Sequence, residues 1–226
     1  MTTATEELRL LDLCAAIDSS TWSDALDQMG IDGLVEGLPQ RSGNGRMCGF
    51  AVTARQVPGQ LHDFDKADFA VNLLVESVGP AHVLVVDVGG QPISTLGGLA
   101  SFGVRQRGAR GVVIDGGCRD VDEIRATGLW LASRHVTPRT GKGRLRTQQY
   151  GKSVVIGGVS IAQGDLVVGD DTGIVAVPRA RLQEALEIAS RILAVDKEVE
   201  SRIRGGESFD SAVKATGYLP TKKAAS

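Results

Sequence analysis

The stretch "GGLASFGVRQRGARGVVIDGGCRD", residues 97–120, opens on a glycine pair and runs into residues of helical spacing. It then passes into a valine-rich strand that breaks at a second glycine pair and sets Arg119 directly against Asp120. A helix that feeds straight into a buried strand is a crossover connection, and crossovers join parallel strands. The same order occurs upstream, where "DKADFAVNLLVESV" (65–78) reads as helix ahead of the strand "HVLVVDVGG" (82–90). At least part of the sheet is therefore expected to be parallel, and the fold class to be α/β.

Working outward, "GFAVTARQV" (49–57), "LWLASRHVT" (129–137), "SVVIGGVSI" (153–161) and "LVVGDDTGIVAVP" (166–178) are further strand-like runs punctuated by glycine. Helices are expected at both ends. Residues 5–17 place Leu8, Leu11 and Ala15 on one side, and "SSTWSDALDQMGIDG" (19–33) offers Ser20 or Thr21 as N-cap and Gly30 as a stop. An amphipathic helix over about 179–204 ends at Gly205-Gly206. The 226 residues, 42% hydrophobic, suffice for one sizeable core, and no linker or repeat divides the middle, so one domain over 1–226 is expected.

A net charge of -2 gives no broad electrostatic reason to bind nucleic acid or an anionic membrane. Cys14, Cys48 and Cys118 are widely spaced, an odd number without a C-x-x-C pair, which suggests neither a disulfide framework nor a structural zinc site. The early charges of "MTTATEELRLLDL" and the lack of any long apolar run lead us to expect a soluble cytoplasmic protein.

The pair Gly97-Gly98 looks like a turn opening directly into a helix, which leaves free backbone N–H groups suited to a carboxylate or phosphate. Arg119 and Asp120 should stand at the carboxyl edge of the sheet, where open α/β sheets bind ligands. A guanidinium there holds a carbonyl or carboxylate in its fork, and a carboxylate holds a hard divalent cation. Asp120 also suits a plain N-cap for "VDEIRATG", with Asp122 and Glu123 in the first turn.

The block from Leu96 to Arg139, together with "VVIGGVSIAQGDLVVGDDTGIVAVP" (154–178), "STWSDALDQMGIDG" (20–33) and "CGFAVTARQV" (48–57), resembles the RraA-like family. That family contains 4-hydroxy-4-methyl-2-oxoglutarate aldolases with oxaloacetate decarboxylase activity. The resemblance implies a swivelling β/β/α domain with N- and C-terminal helices, assembled as a homotrimer or hexamer with clefts shared between subunits. It further implies that Arg119 contacts a small 2-oxo acid, that Asp120 holds Mg²⁺ or Mn²⁺, and that the amides of Gly98, Leu99 and Ala100 receive the substrate carboxylate. The C-terminal helix is expected to pack on a neighbouring subunit and to carry Glu198 toward its metal site.

The family's aldolases carry an acid, twenty intervening residues, then Arg-Asp, and that count places Gly98 where the acid belongs. Retro-aldol cleavage needs a base for the hydroxyl proton, whereas decarboxylation of a β-keto acid needs only enolate stabilisation and reprotonation. The sequence therefore favours a lyase of the oxaloacetate-decarboxylase type over the full aldolase. Asp115 and Asp87, at nearby strand ends, are candidate substitutes for the acid, and also ordinary turn carboxylates. His62, beside Asp63 and Asp65, suits a metal or base and equally a solvated cap. The basic run with Arg139, Lys142, Arg144, Arg146 and Lys152 reads as a solvated loop which, near the cleft, would attract a second carboxylate or a phosphate.

Two rivals complete the reading. The first is a non-catalytic RraA-type regulator of an RNA-degrading enzyme, a group that lacks the Arg-Asp pair which this chain keeps. The second, a methyltransferase, finds no strand leading into a G-x-G cofactor loop with a ribose-binding acid in the required order.

Overall fold

The computed structural model describes residues 4–219. The strands are β1 (Leu34–Val35), β2 (Gln40–Ser42), β3 (Met47–Pro58), β4 (His82–Asp87), β5 (Ser94–Leu96), β6 (Gly111–Cys118), β7 (Leu131–Val136), β8 (Leu145–Tyr150), β9 (Val154–Ile156), β10 (Val159–Ile161), β11 (Leu166–Gly169) and β12 (Ile174–Val177). The helices are α1 (Ala4–Ala15), α2 (Ser19–Gln28), α3 (Val71–Glu76), α4 (Gly98–Gln106), α5 (Val121–Thr127), α6 (Leu182–Arg204) and α7 (Phe209–Thr216).

One large sheet runs β1-β12-β11-β3-β4-β6-β7-β2, with β5 paired to β6 and β8 to β3. Strands β3, β4, β6 and β7 are mutually parallel, as is β5 against β6. The helical crossovers α3, α4 and α5 enforce that direction. Strands β11, β12, β1 and β8 close the arrangement antiparallel.

Central strands of a parallel sheet are covered on both faces and therefore read as continuous apolar runs. Every residue of β6 is buried. Alternate side chains then enter different cores. Leu84, Val86, Val112 and Ile114 pack with Leu74, Val104 and Ile124 under the crossover helices. Val83, Val85 and Val113 pack on the opposite face with Trp130, Ile156 and Ile161. A third core joins Leu11, Trp22, Leu26, Phe50, Val175 and Leu182, and it seats the terminal helices on the antiparallel strands.

Several expectations need correction. Helix α2 is capped by Asp18, whose carboxylate accepts from Thr21 N at 2.8 Å, and not by Ser20 or Thr21. The helix expected over 65–78 is broken, because Ala70 takes a left-handed φ of 46° between a 3-10 turn (Lys66–Phe69) and α3. "SVVIGGVSI" is a hairpin, β9 and β10, turned at Gly157-Gly158 with φ of 53° and 92°, values that favour glycine. The basic run is not all loop: its second half is β8, held antiparallel against the end of β3. Helix α6 begins at Leu182 after a 3-10 turn (Arg179–Arg181), and α7 follows it.

Candidate active site

The carboxyl ends of β5 and β6 lie side by side, with Ser94 opposite Gly117 and Leu96 opposite Cys118. Each strand then leads into a helix whose first turn faces the other. Arg119 N donates to Leu96 O at 3.0 Å, and this bond ties the Arg119 corner to the turn at Gly97-Gly98.

Over that turn three side chains converge. A Cβ built at Gly97 would overlap Asp120 Oδ2 and lie 2.9 Å from Arg119 Nε. A Cβ at Gly98 would overlap Glu123 Oε2 and lie 2.7 Å from both Cβ and Cδ of Glu123. Neither glycine is in the left-handed region, so space, and not a positive φ, excludes a side chain there.

Asp120 has a φ of 54° and ψ of 44°, a conformation tolerated by aspartate better than by most residues but still costing of order 1 kcal/mol. It stands at the N-cap position of α5 without making a capping bond to that helix. Its Oδ2 instead accepts from Gly98 N at 3.2 Å and lies 3.4 Å from Arg119 Nε. The capping reading is thus right in position and wrong in chemistry: the carboxylate is turned across to α4. The Gly98 amide is correspondingly engaged, which leaves Leu99 and Ala100 as the open amides of that turn. Arg119 and Asp120 side chains retain 40% and 37% of their exposure, so both are reachable by a ligand. The Glu123 carboxylate has no hydrogen-bond or ion-pair partner among the described residues.

Glu123 is the residue that the sequence reading missed. It lies four residues after Arg119, among acids that the dipole of α5 accounts for equally well. Its approach to Gly98 depends on the packing of α4 against α5.

The other candidates lie in ordinary structural settings. Asp115 receives Arg134 Nε at 2.6 Å and Nη2 at 3.2 Å, and Gly157 N at 2.8 Å. Burial opposes its charge, but the bonds from Arg134 and Gly157 outweigh that and hold the carboxyl below its usual range. It anchors the β9–β10 hairpin. Asp87 accepts from Gly89 N at 2.8 Å, a strand-end turn. His62 has a φ of 78° and its N–H donates to Gly143 O at 3.0 Å. Asp63 accepts from Gln60 N at 2.6 Å, and Asp68 accepts from Asp65 N at 3.2 Å, so these acids stabilise the turn before the 3-10 segment. Glu198 pairs with Arg202 at 2.8 Å along α6, and Glu200 with Arg204. Helix α6 packs on α2 and α7.

A cavity of about 1140 Å³ lies at the opposite end of α5, bordered by Arg125, Gly128, Trp130, Arg41 and Asp170, and excludes Arg119, Asp120 and Glu123. Arg119, Asp120 and Glu123 instead converge over the glycine turn. Among the described residues no cluster of three or more His, Cys, Asp or Glu side chains suits a metal ion, and no helix is long and apolar enough to cross a membrane.

With this geometry in place, the comparisons are specific. The RraA-like family (Aldolase/RraA) matches residues 19–176, and the chain belongs to it. A Halalkalibacterium halodurans protein named "Putative 4-hydroxy-4-methyl-2-oxoglutarate aldolase" is 27% identical over 218 residues, covering 94% of this chain and 95% of that one. DlpA of Legionella pneumophila is 28% identical over 204 residues, covering 90% of this chain and 33% of its own. The match covers 33% of DlpA and 60% of a Methanocaldococcus jannaschii protein that is 35% identical over 125 residues, so the chain spans less than two thirds of either relative. The crystal structure of Streptomyces coelicolor RraAS2, described as an unusual member of the RNase ES inhibitor RraA family, superposes with a TM-score of 0.75 at 31% identity, covering 87% of this chain and 98% of that one.

Proposed function

We propose that the chain is a divalent-metal-dependent carbon–carbon lyase that acts on a small 2-oxo acid through a pyruvate-type enolate. Both oxaloacetate decarboxylation and retro-aldol cleavage of a 4-hydroxy-2-oxo acid are within its reach. The observation that carries the reading is the Glu123 carboxylate lying over Gly98. It supplies, from α5, the acid that residue 98 lacks, and so removes the reason for preferring decarboxylation alone.

The donor set fits Mg²⁺ or Mn²⁺. Asp120 is a hard oxygen donor beside a cradle that two glycines keep open. One or two carboxylates, with the remaining positions left to water and substrate, are what Mg²⁺ ordinarily takes from a protein. When bound, such an ion supplies Lewis-acid stabilisation of the charge that develops on the keto oxygen. Arg119 holds the 2-oxo acid by its fork, and the Leu99 and Ala100 amides receive the carboxylate at the dipole-positive end of α4. In aldol cleavage Glu123 takes the C4 hydroxyl proton as the C3–C4 bond breaks. The bonding electrons pass to C3 and the keto group as an enolate, which is reprotonated at C3 to give pyruvate.

We also propose that the domain works as a homo-oligomer, trimer or hexamer. Leu99 and Phe102, one turn apart on α4, are 85% and 51% exposed beside the site, and a neighbour covering them would enclose it. The regulator reading loses ground because Arg119, Asp120 and Glu123 converge on one open turn, an arrangement that binding an RNA-degrading enzyme does not require. The test is pyruvate release from a panel of 4-hydroxy-2-oxo acids and oxaloacetate, with EDTA or with Mg²⁺ or Mn²⁺. Metal-dependent release supports the lyase, and no release from any of them with metal present overturns it.

A further inference from the structure

A buried polar chain runs from β3, in the middle of the sheet, to β5, the strand that ends in the glycine turn. Thr95, the middle residue of β5, donates from Oγ1 to Gln56 Oε1 at 2.8 Å. Both side chains are buried, Gln56 near the end of β3. Gln56 Nε2 donates to Thr147 Oγ1 on β8 at 3.1 Å and to Phe69 O at 3.4 Å, and Thr147 Oγ1 donates to the same carbonyl at 2.8 Å. A carbonyl can only accept, so the amide nitrogen of Gln56 faces Phe69 and the amide oxygen is left to receive Thr95.

The break in the helix at Ala70 makes the acceptor at the root of this chain. A continuous helix over 65–78 would give Phe69 O to Leu73 N. Here Leu73 N donates to Ala70 O at 3.0 Å, which frees Phe69 O for Thr147 and Gln56. An alanine with a φ of 46° is strained, and such strain persists where the surroundings over-determine it. At the other end of the chain, Thr95 stands two residues before Gly97, and the next residue, Leu96, accepts from Arg119 N at 3.0 Å. The height of β5 therefore sets both the glycine turn and the Arg119 corner.

We infer that Gln56 and Thr95 are positioning residues: their bond fixes β5 against β3, and so holds the Leu99 and Ala100 amides and Arg119 at the spacing that a 2-oxo acid requires. The inference rests on the lyase reading for the ligand, and on geometry alone for the position of the turn. A buried pair of this kind is sensitive to the loss of one member, because the other is left unsatisfied away from water. A small displacement of a binding group far from the chemistry is enough to weaken what it holds.

The test uses the full chain and two readouts, taken well below each melting temperature: amide hydrogen exchange across residues 96–101, and calorimetric titration with pyruvate in the presence of Mg²⁺. Thr95→Val keeps the shape and removes the hydroxyl. It should speed exchange at the turn by about tenfold and weaken pyruvate by about tenfold, the contribution of one buried hydrogen bond. Thr95→Ser, which keeps the hydroxyl, should restore both. Val175→Ala, in the third core, serves as the control: it should lower the melting temperature and move neither readout. Wild-type exchange or wild-type pyruvate affinity in Thr95→Val, a Thr95→Ser protein as impaired as Thr95→Val, or equal loosening of the turn in Val175→Ala overturns the positioning role. Faster exchange in Thr95→Val alone, in a protein whose wild type binds no pyruvate, overturns the lyase reading and leaves the positioning of the turn standing.

Discussion

Glu123 fills the space that a side chain on Gly98 would occupy. Two residues 25 positions apart in the chain are thereby made mutually exclusive: one side chain fits over position 98, and here α5 provides it. On the proposed lyase reading, the absence of an acid from position 98 is a change of supplier and not a loss.

Arg119 should be replaceable without harm to the fold. Its side chain is 40% exposed and lies over Gly97, outside all of the apolar cores. Arg119→Ala is expected to lower turnover by about 10²–10³, as loss of one oxyanion donor does, with little change in melting temperature. Arg119→Lys should recover little, because an ammonium cannot reproduce the two-pronged contact. Steady-state kinetics beside a thermal melt decide the matter, and near-wild-type turnover in either variant would return Arg119 to the solvated surface.

Asp120→Asn separates backbone from charge. At a φ of 54° asparagine is tolerated as well as aspartate, so the variant should fold normally. Losing the carboxylate should abolish tight Mn²⁺ binding, measured by calorimetry or by the paramagnetic signal of the free ion. Unchanged Mn²⁺ affinity would exclude Asp120 as a ligand.

Asp115 makes a prediction about acid stability. Its carboxyl is held below the usual range in the folded chain, so its contribution is complete above the unfolded value near 4 and disappears as pH falls through the folded value. The wild type should lose melting temperature on acidification below about pH 4, and Asp115→Asn should be flatter there. At neutral pH that variant should be destabilised by about 1.5–3 kcal/mol, since Arg134 and Gly157 N lose a charged acceptor. Equal stability of the two proteins at pH 7 would remove Asp115 from the anchoring role.

Much of this architecture was legible because it is local. The continuous apolar runs of β4 and β6, the helices ahead of them, and the corner at Arg119-Asp120 follow from pattern and spacing. What escaped depends on distant contacts. Strand β8 has four exposed residues among six, so "LRTQQY" has too little buried side chain to read as strand until the end of β3 supplies its partner. The break at Ala70 requires a left-handed alanine that residue type does not announce. Helix α7 did carry signals, Ser208 as N-cap and Gly217 as C-cap, that the emphasis on Gly205-Gly206 as a stop obscured. Glu123 was in plain view, but its meaning depends on Gly98, and only the parallel pairing of β5 with β6 brings the two helices' first turns together.

The relation between Gly98 and Glu123 yields the sharpest test. Restoring an acid by Gly98→Asp alone should not improve aldol cleavage, because the new Cβ would displace Glu123 at its Cβ and not merely at its flexible end. That variant is expected to melt lower, overpacking typically costing about 1–3 kcal/mol, and to lose activity. Glu123→Ala removes the proton acceptor and should slow cleavage of a 4-hydroxy-2-oxo acid by about 10²–10⁴, while oxaloacetate decarboxylation, which needs no such base, falls far less. Combining the two changes moves the acid from α5 to α4: Glu123→Ala opens the space that Gly98→Asp then fills, and the dipole of α4 favours a carboxylate at its start. The double variant should exceed both single variants in aldol turnover and recover melting temperature relative to Gly98→Asp, a coupling larger than the roughly 0.5 kcal/mol seen for independent sites. Additive losses in the double variant, or full aldol activity in Glu123→Ala, would show that the base lies elsewhere and that Glu123 merely caps the turn.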